Sequence, residues 1–400
     1  MGVVVEFFTN DPTIVDLCAR YWALDEDGRF LYRVSDLPLP LGIAGGRVAA
    51  FVGEHCHAYD PEVMCQSCGR PYIFFASRSE YQQRSRSSWQ FRQPCTDCRR
   101  AQMEREQAAR RAAEEGRRSQ IRDLYGVGVR ERVIACDELS FREAVALLAL
   151  LRFAASEGLG AISPVEEAGG LFAPTTDLAV DLLVLLWSNG CIWVHPESAM
   201  SAFADDLSRV YPLRATWLPP VAEDGRPGGV LDDLESIFRQ EAWPEEWFPQ
   251  SLAFWHEVAL HECLQYLKVC MEEHGFELKL GDKTRQVIDG VLENYSPAQA
   301  YNLIWRAAKD AAAYLMRSNV SRQQAANSAI GSIQRMAERA LAEGWEVKPY
   351  RRDRRAPESM VSHVLYRVAL KLAGDGIDHI PDGRIGRQER SSPKDVHRGG

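Results

Sequence analysis

The chain has no apolar run long enough to cross a bilayer. Its longest, residues 144–151 and 178–187, fall well short of the roughly 20 residues a spanning helix needs, and Asp181 interrupts the second. The opening octapeptide MGVVVEFF carries neither the basic region nor the cleavage site of an export signal, and Glu6 stands where a myristoylation motif needs Ser or Thr. A Gly-rich phosphate loop and a Gly-x-Ser-x-Gly elbow are also missing, which argues against P-loop nucleotide hydrolases and α/β-hydrolases. With no export signal, the expected compartment is the cytoplasm of a bacterium, where ten cysteines are thiols and metal ligands and not a disulfide framework. Lysine is scarce beside arginine, a bias that a GC-rich genome produces by itself and that lowers the weight of any single arginine cluster.

What is present is led by four cysteines in two pairs, Cys65 with Cys68 and Cys95 with Cys98. Two-residue spacing lets a tight turn aim both sulfurs at one ion, and two such pairs complete a tetrahedral shell. Gly69 suits a turn of this kind, and Arg99 and Arg100 offset the negative charge that four thiolates leave around a divalent cation. Over residues 64–100 the pattern resembles a zinc ribbon. The resemblance implies one structural Zn2+ held by Cys65, Cys68, Cys95 and Cys98, with no open coordination position and so no chemistry at the metal. His55, Cys56 and His57 stand close enough upstream to substitute as ligands, but neighbours on a short helix splay apart.

Four hundred residues can bury more than one core. Residues 1–100 read as an α+β unit that carries the metal module. It has a strand over 3–8, a helix opened by Asp11 and Pro12 with Ile14, Leu17 and Tyr21 on its apolar face, a second strand over 29–34 and a short helix over 47–56. A charged, alanine-rich helix over 96–125 supplies most of a connector at 101–135. In residues 136–222, Ser140 and Glu143 have capping-box spacing ahead of a helix, a second helix follows over 176–187, and β-rich pieces at 191–194 and 213–218 pair. That helix, helix, ribbon order resembles a winged helix-turn-helix. Residues 223–373 are helical, with caps at Ser296 and Ser321, a stop at Gly344 and a last helix over 358–372, and residues 374–400 read as a disordered tail. The fold class is α+β, mostly helical.

The net charge of −9 hides an asymmetry, since thirteen arginines face seven acids between Arg84 and Arg132. Arg78, Tyr81, Arg84, Arg86, Trp89, Phe91 and Arg92 interleave cations with rings, as a surface does when guanidinium groups meet phosphates and rings stack on bases. The same rings would serve equally as the core of a small metal module. A second basic cluster holds Lys348, Arg351, Arg352, Arg354 and Arg355. His256, Glu257 and His261 have a spacing that resembles the dipeptidyl-peptidase III family, but that family's downstream acidic ligand motif is absent, and histidines five apart on a regular helix diverge by about 140°. His256 falls with Leu260 and Leu264 and is expected in the core; His261 falls with Gln265 and Lys268 and is expected at the surface. His195 and Glu197 with Cys95 and Cys98 hold both halves of a zinc-deaminase signature in reversed order, and Glu277 with Lys279 echoes a nuclease motif without its aspartate.

The expectation is a zinc-stabilised cytoplasmic nucleic-acid-binding protein without intrinsic catalysis. Its contacts would come from Arg84, Arg86, Trp89, Arg92, Arg351, Arg352, Arg354 and Arg355, and no residue is nominated as catalytic. One alternative is an adaptor that docks a protein partner through the helical domain near the tryptophans of residues 243–255. Another is an enzyme whose site is assembled from scattered residues.

Overall fold

In a computed structural model, the described residues are 2–39, 43, 45–83, 94–126, 133–158, 160–223, 225–226, 228–240 and 243–381. They fall into two units, Met1–Gly116 and Arg117–Gly400, each built around its own core.

In the first unit a three-stranded antiparallel sheet of order β1-β2-β3 joins β1 (Val4–Phe7), β2 (Cys56–Tyr59) and β3 (Phe74–Phe75). Asp11 caps α1 (Pro12–Trp22) by accepting from the Thr13 backbone N–H at 2.8 Å, and Pro12 costs nothing at a first turn that has no partner for its N–H. Leu17, Cys18, Tyr21 and Trp22 of α1 meet Val48 and Val52 of α2 (Val48–His55), together with Cys56 and Ala58 of β2. The strand expected over 29–34 is replaced by an isolated bridge from Phe30 to Leu24 and a 3-10 turn at Val34–Asp36. The strand that does follow α2 contains Cys56 and His57, so two of the three candidate substitute ligands lie in the sheet, and His55 ends α2. After β3 comes α3 (Arg78–Gln83). Arg78 faces inward: its guanidinium lies 4.4 Å from the Tyr21 ring centroid and 4.5 Å from that of Phe30, and it donates to the Tyr21 and Tyr32 carbonyls at 2.6 and 2.7 Å. Tyr81 is buried beside it. These two residues are therefore core, and not the start of an exposed cation-and-ring surface.

The charged helix α4 spans Thr96–Tyr125, as its sequence requires. From Arg117 onward it belongs to the second unit, where Ile121 is fully buried, Arg118 donates to the Ser198 carbonyl at 2.7 Å and Arg122 pairs with Glu197 at 2.9 Å. Glu197, half of the deaminase-like pattern, is thus an ion-pair partner whose carboxyl is lowered chiefly by Arg122.

The second unit is organised around α5 (Phe141–Ala154), opened by the expected capping box of Ser140 and Glu143. No residue of α5 is exposed, because α6 (Thr176–Ser188), α7 (Gly229–Arg239), α8 (Trp247–Glu273) and α12 (Met360–His363) all pack on it. The expected ribbon forms with two residues per strand, β4 (Trp193–Val194) against β5 (Trp217–Leu218). It shares one continuous core with the C-terminal helices. The helix α9 (Asp282–Leu292) precedes α10 (Pro297–Arg317), which packs on α8 and on α11 (Arg322–Glu343); the Ser296–Gln299 box, the Ser321 cap and the Gly344 stop, with φ +67°, all form. The last expected helix divides into α12 and a wide π turn, Val364–Ala369, in which the Leu370 N–H reaches back to the Leu365 carbonyl. Residues 374–381, assigned to the disordered tail, instead dock: Ile377 is buried, and its carbonyl accepts from the Ala298 N–H at 3.0 Å. Gly376 sits at φ +74° where a Cβ would fall 2.5 Å from Tyr366 Cγ. Residues 382–400 of that expected tail lie outside the described residues. No helix among the described residues is long and apolar enough to cross a membrane.

Candidate metal centre and basic surfaces

The four cysteines come together. The ligand atoms of Cys65, Cys68, Cys95 and Cys98 all lie within 4.8 Å of one another, with Sγ–Sγ distances of 3.9 Å for Cys65 and Cys98 and 3.8 Å for Cys68 and Cys95. The two pairs reach this point by different local structures. Residues 65–70 make a tight turn in which the Cys65 N–H donates to the Arg70 carbonyl and the Gly69 N–H to the Cys65 carbonyl, both at 2.8 Å, with Gly69 at φ +67°. The second pair stands on a helix and not on a second turn: Cys95 immediately precedes α4, Cys98 lies in its first turn, and the Arg99 N–H bonds to the Cys95 carbonyl at 2.9 Å. A helix start offers free N–H groups and a positive dipole end, so thiolates are favoured there.

The electrostatics match a cation site. The Cys95 N–H donates to Cys65 Sγ at 3.4 Å, and this bond does most to lower the Cys65 thiol to about 6. Crowding acts oppositely on Cys98, pushed up to about 12, first by its contact with Cys68. Four thiols at this spacing cannot all ionise against their mutual repulsion, so the cluster on its own keeps a proton that a bound cation displaces. A soft, compact, four-sulfur donor set of this kind could hold a metal ion, and four sulfurs on one ion would leave no position for substrate.

The residues assigned to nucleic-acid contact fare unequally. Arg84, Arg86, Trp89 and Arg92 lie outside the described residues. Arg351 and Arg354 are exposed. Arg355 is half exposed and pairs with Asp353 at 2.8 Å and Glu273 at 3.1 Å. Arg352 must be withdrawn from the surface set: its side chain is 10% exposed and forms an ion pair with Glu262, which is 0% exposed. Tyr301 Oη donates to the same carboxylate at 3.1 Å, and Ser362 Oγ donates to its other oxygen. Burial works against the Arg352 charge, but the Glu262 carboxylate outweighs it and holds the guanidinium protonated. Tyr366, fully buried in the π turn, is close enough to share this field.

The α8 histidines are exchanged relative to expectation. His261 is the buried one, its Nδ1 2.5 Å from Thr175 Oγ1, and burial is the main cause that pushes its imidazole down to about 4. His256 is half-buried and lies 2.9 Å from Asp289.

The structure adds exposed basic positions beyond the candidate contact set. Arg99, Arg100, Arg110 and Arg111 of α4 are exposed and have no ion pair among the described residues. Arg306 and Lys309 on α10, and Lys348 after α11, are likewise exposed and unpaired among the described residues. The signal for those on α4 and α10 was spacing along a helix face, whereas Lys348 belongs to the basic cluster already legible after α11. No family model, no curated protein and no solved structure matches this chain.

Proposed function

We propose that this is a zinc-stabilised nucleic-acid-binding protein with no catalysis of its own. Zinc is the metal that best fits the cysteines, because a tetrahedron with Zn–S bonds of about 2.3 Å has S–S edges of about 3.8 Å. The observation that carries the binding role is the arginine face of α4. At 100° per residue Arg99 lies about 20° from Arg110, and Arg100 lies as close to Arg111, so the four share an arc of about 120° that extends roughly 18 Å along the axis. Glu114 falls on the same arc and Arg105 on the opposite one. A row of guanidinium groups without ion pairs among the described residues, anchored to a metal-braced helix start, is what a phosphate track needs, and the Arg84, Arg86, Trp89 and Arg92 stretch precedes it in the chain.

The test is a titration of generic single- and double-stranded DNA and RNA at increasing salt. Affinity falls steeply with salt, and Arg99→Glu with Arg110→Glu lowers both the affinity and the salt slope. Salt-insensitive or undetectable binding by the wild type overturns the reading. A second reading, a protein-interaction adaptor, is favoured by a groove of about 320 Å3 between α9 and α11 where Val287, Tyr295 and the exposed Leu341 meet. It predicts capture of a protein partner that Leu341→Glu abolishes.

A further inference from the structure

A smaller cavity of about 200 Å3 lies where α10 and α11 meet the chain that follows α11, and its lining includes Asn302, Leu303, Arg306, Trp345, Glu346 and Lys348. Gly344 turns the backbone out of α11, and the Trp345 N–H then bonds to the Ala340 carbonyl at 2.8 Å. The indole it positions is 45% exposed, with the Arg339 guanidinium 4.9 Å from the ring centroid. One residue along from Arg306, Trp305 meets Tyr350 edge-on at 6.1 Å and carries the Lys309 ammonium at 5.2 Å. Two half-open indoles interleaved with Arg306, Lys309 and Lys348 make a surface that favours an anionic ligand with flat faces. Glu346 argues against a bare phosphate in the cavity itself. Its carboxylate suits the N–H donors on a base edge, as does the Asn302 oxygen, since the Asn302 amide nitrogen is occupied by the Lys348 carbonyl at 2.9 Å.

We propose that this cavity takes an unpaired base of a single-stranded nucleic acid, stacked on Trp345, with Arg306 and Lys348 on the flanking phosphates. The proposal rests on the nucleic-acid reading above and deepens it, because it names a site in the second unit and a strand state. A duplex keeps its base faces stacked internally and cannot offer one to Trp345.

The experiment is fluorescence anisotropy of a labelled twelve-nucleotide dT strand on the full metal-loaded chain at low salt. It compares wild type with Trp345→Ala, Trp345→Phe and Lys348→Glu, and with Arg99→Glu combined with Arg110→Glu. Losing a stacked base weakens Trp345→Ala roughly tenfold or more, Trp345→Phe retains most of the affinity, and the same strand annealed to its complement is bound equally by Trp345→Ala and wild type. Because Trp345 is half exposed, Trp345→Ala keeps the wild-type melting temperature, which separates lost binding from lost folding. If Trp345→Ala binds dT as wild type does while the α4 double variant is impaired, the pocket proposal fails and the nucleic-acid reading stands. If the wild type binds no strand at low salt, both fail. Binding of an acidic peptide as tight as that of dT also overturns the proposal, since charge alone would then suffice.

Discussion

The cysteine-bearing unit and the helical unit differ in what holds them together. In the first, a core of about a dozen side chains around Leu17, Trp22 and Val52 is supplemented by four sulfurs that converge on a point. In the second, apolar burial is so extensive that α5 has no exposed face, and the core even accommodates a carboxylate and a guanidinium, Glu262 and Arg352. The contrast is one of core size: the smaller unit buries fewer side chains, so a metal on its cysteines would add proportionally more, while the larger core has apolar burial enough to accommodate polar groups.

The contrast can be broken or sharpened by four measurements. Stripping the metal, or making Cys65→Ser with Cys95→Ser, removes stabilisation on the order of 10 kcal/mol from the module that the cysteines tie together. Hydrogen exchange is expected to rise across residues 63–72 and 94–100 while α5 and α8 keep their protection; equal loss in both units would erase the distinction. Next, Arg352→Ala leaves the buried Glu262 charge without its cation, at a cost of about 3–5 kcal/mol, whereas replacing both by leucine costs less, chiefly the about 1–3 kcal/mol of leaving the buried Tyr301 hydroxyl without its acceptor. Urea midpoints of the single and double variants check this. Third, the buried His261 gives the helical unit a pH dependence. Its folded value of about 4 lies below the 6.5 of a free imidazole, so its contribution is complete above pH 6.5 and declines as pH falls from 6.5 towards 4. The decline totals on the order of 3 kcal/mol, and His261→Gln flattens that stretch of the profile. The smallest effect is Ser140→Ala, which removes the α5 cap and costs about 1 kcal/mol, read as a modest fall in melting temperature.

What could be read from sequence was whatever a few adjacent residues determine. The Ser140, Ser296 and Ser321 caps and the Gly344 stop depend on hydrogen bonds within one turn, and the cysteine cluster depends on a chemistry with a strict spacing. Where the outcome depended on distant partners, the reading was uneven: the β4–β5 ribbon formed as expected, but other elements did not. Residues 29–34 had strand composition, but only Phe30 found a bridge. On α8 the stripe through Leu260 and Leu264 pointed to His256 as the core residue, yet neighbours cover that helix on several sides and bury His261 and Glu262 as well. Arg352 looked like any loop arginine because its partner lies ninety residues upstream. Of the eight candidate contact residues, Arg352 proved to be buried in an ion pair and four lie outside the described residues, while the four cysteines do cluster.

Gly376 restricts how this protein can diverge. Its left-handed backbone excludes most side chains, and the Tyr366 ring excludes any Cβ, so neither condition can be relaxed without the other. Substitutions that would be harmless in a free terminus meet a fixed point here. A side chain at this position would have to displace the Tyr366 ring or lift the segment that carries Ile377 away from the start of α10.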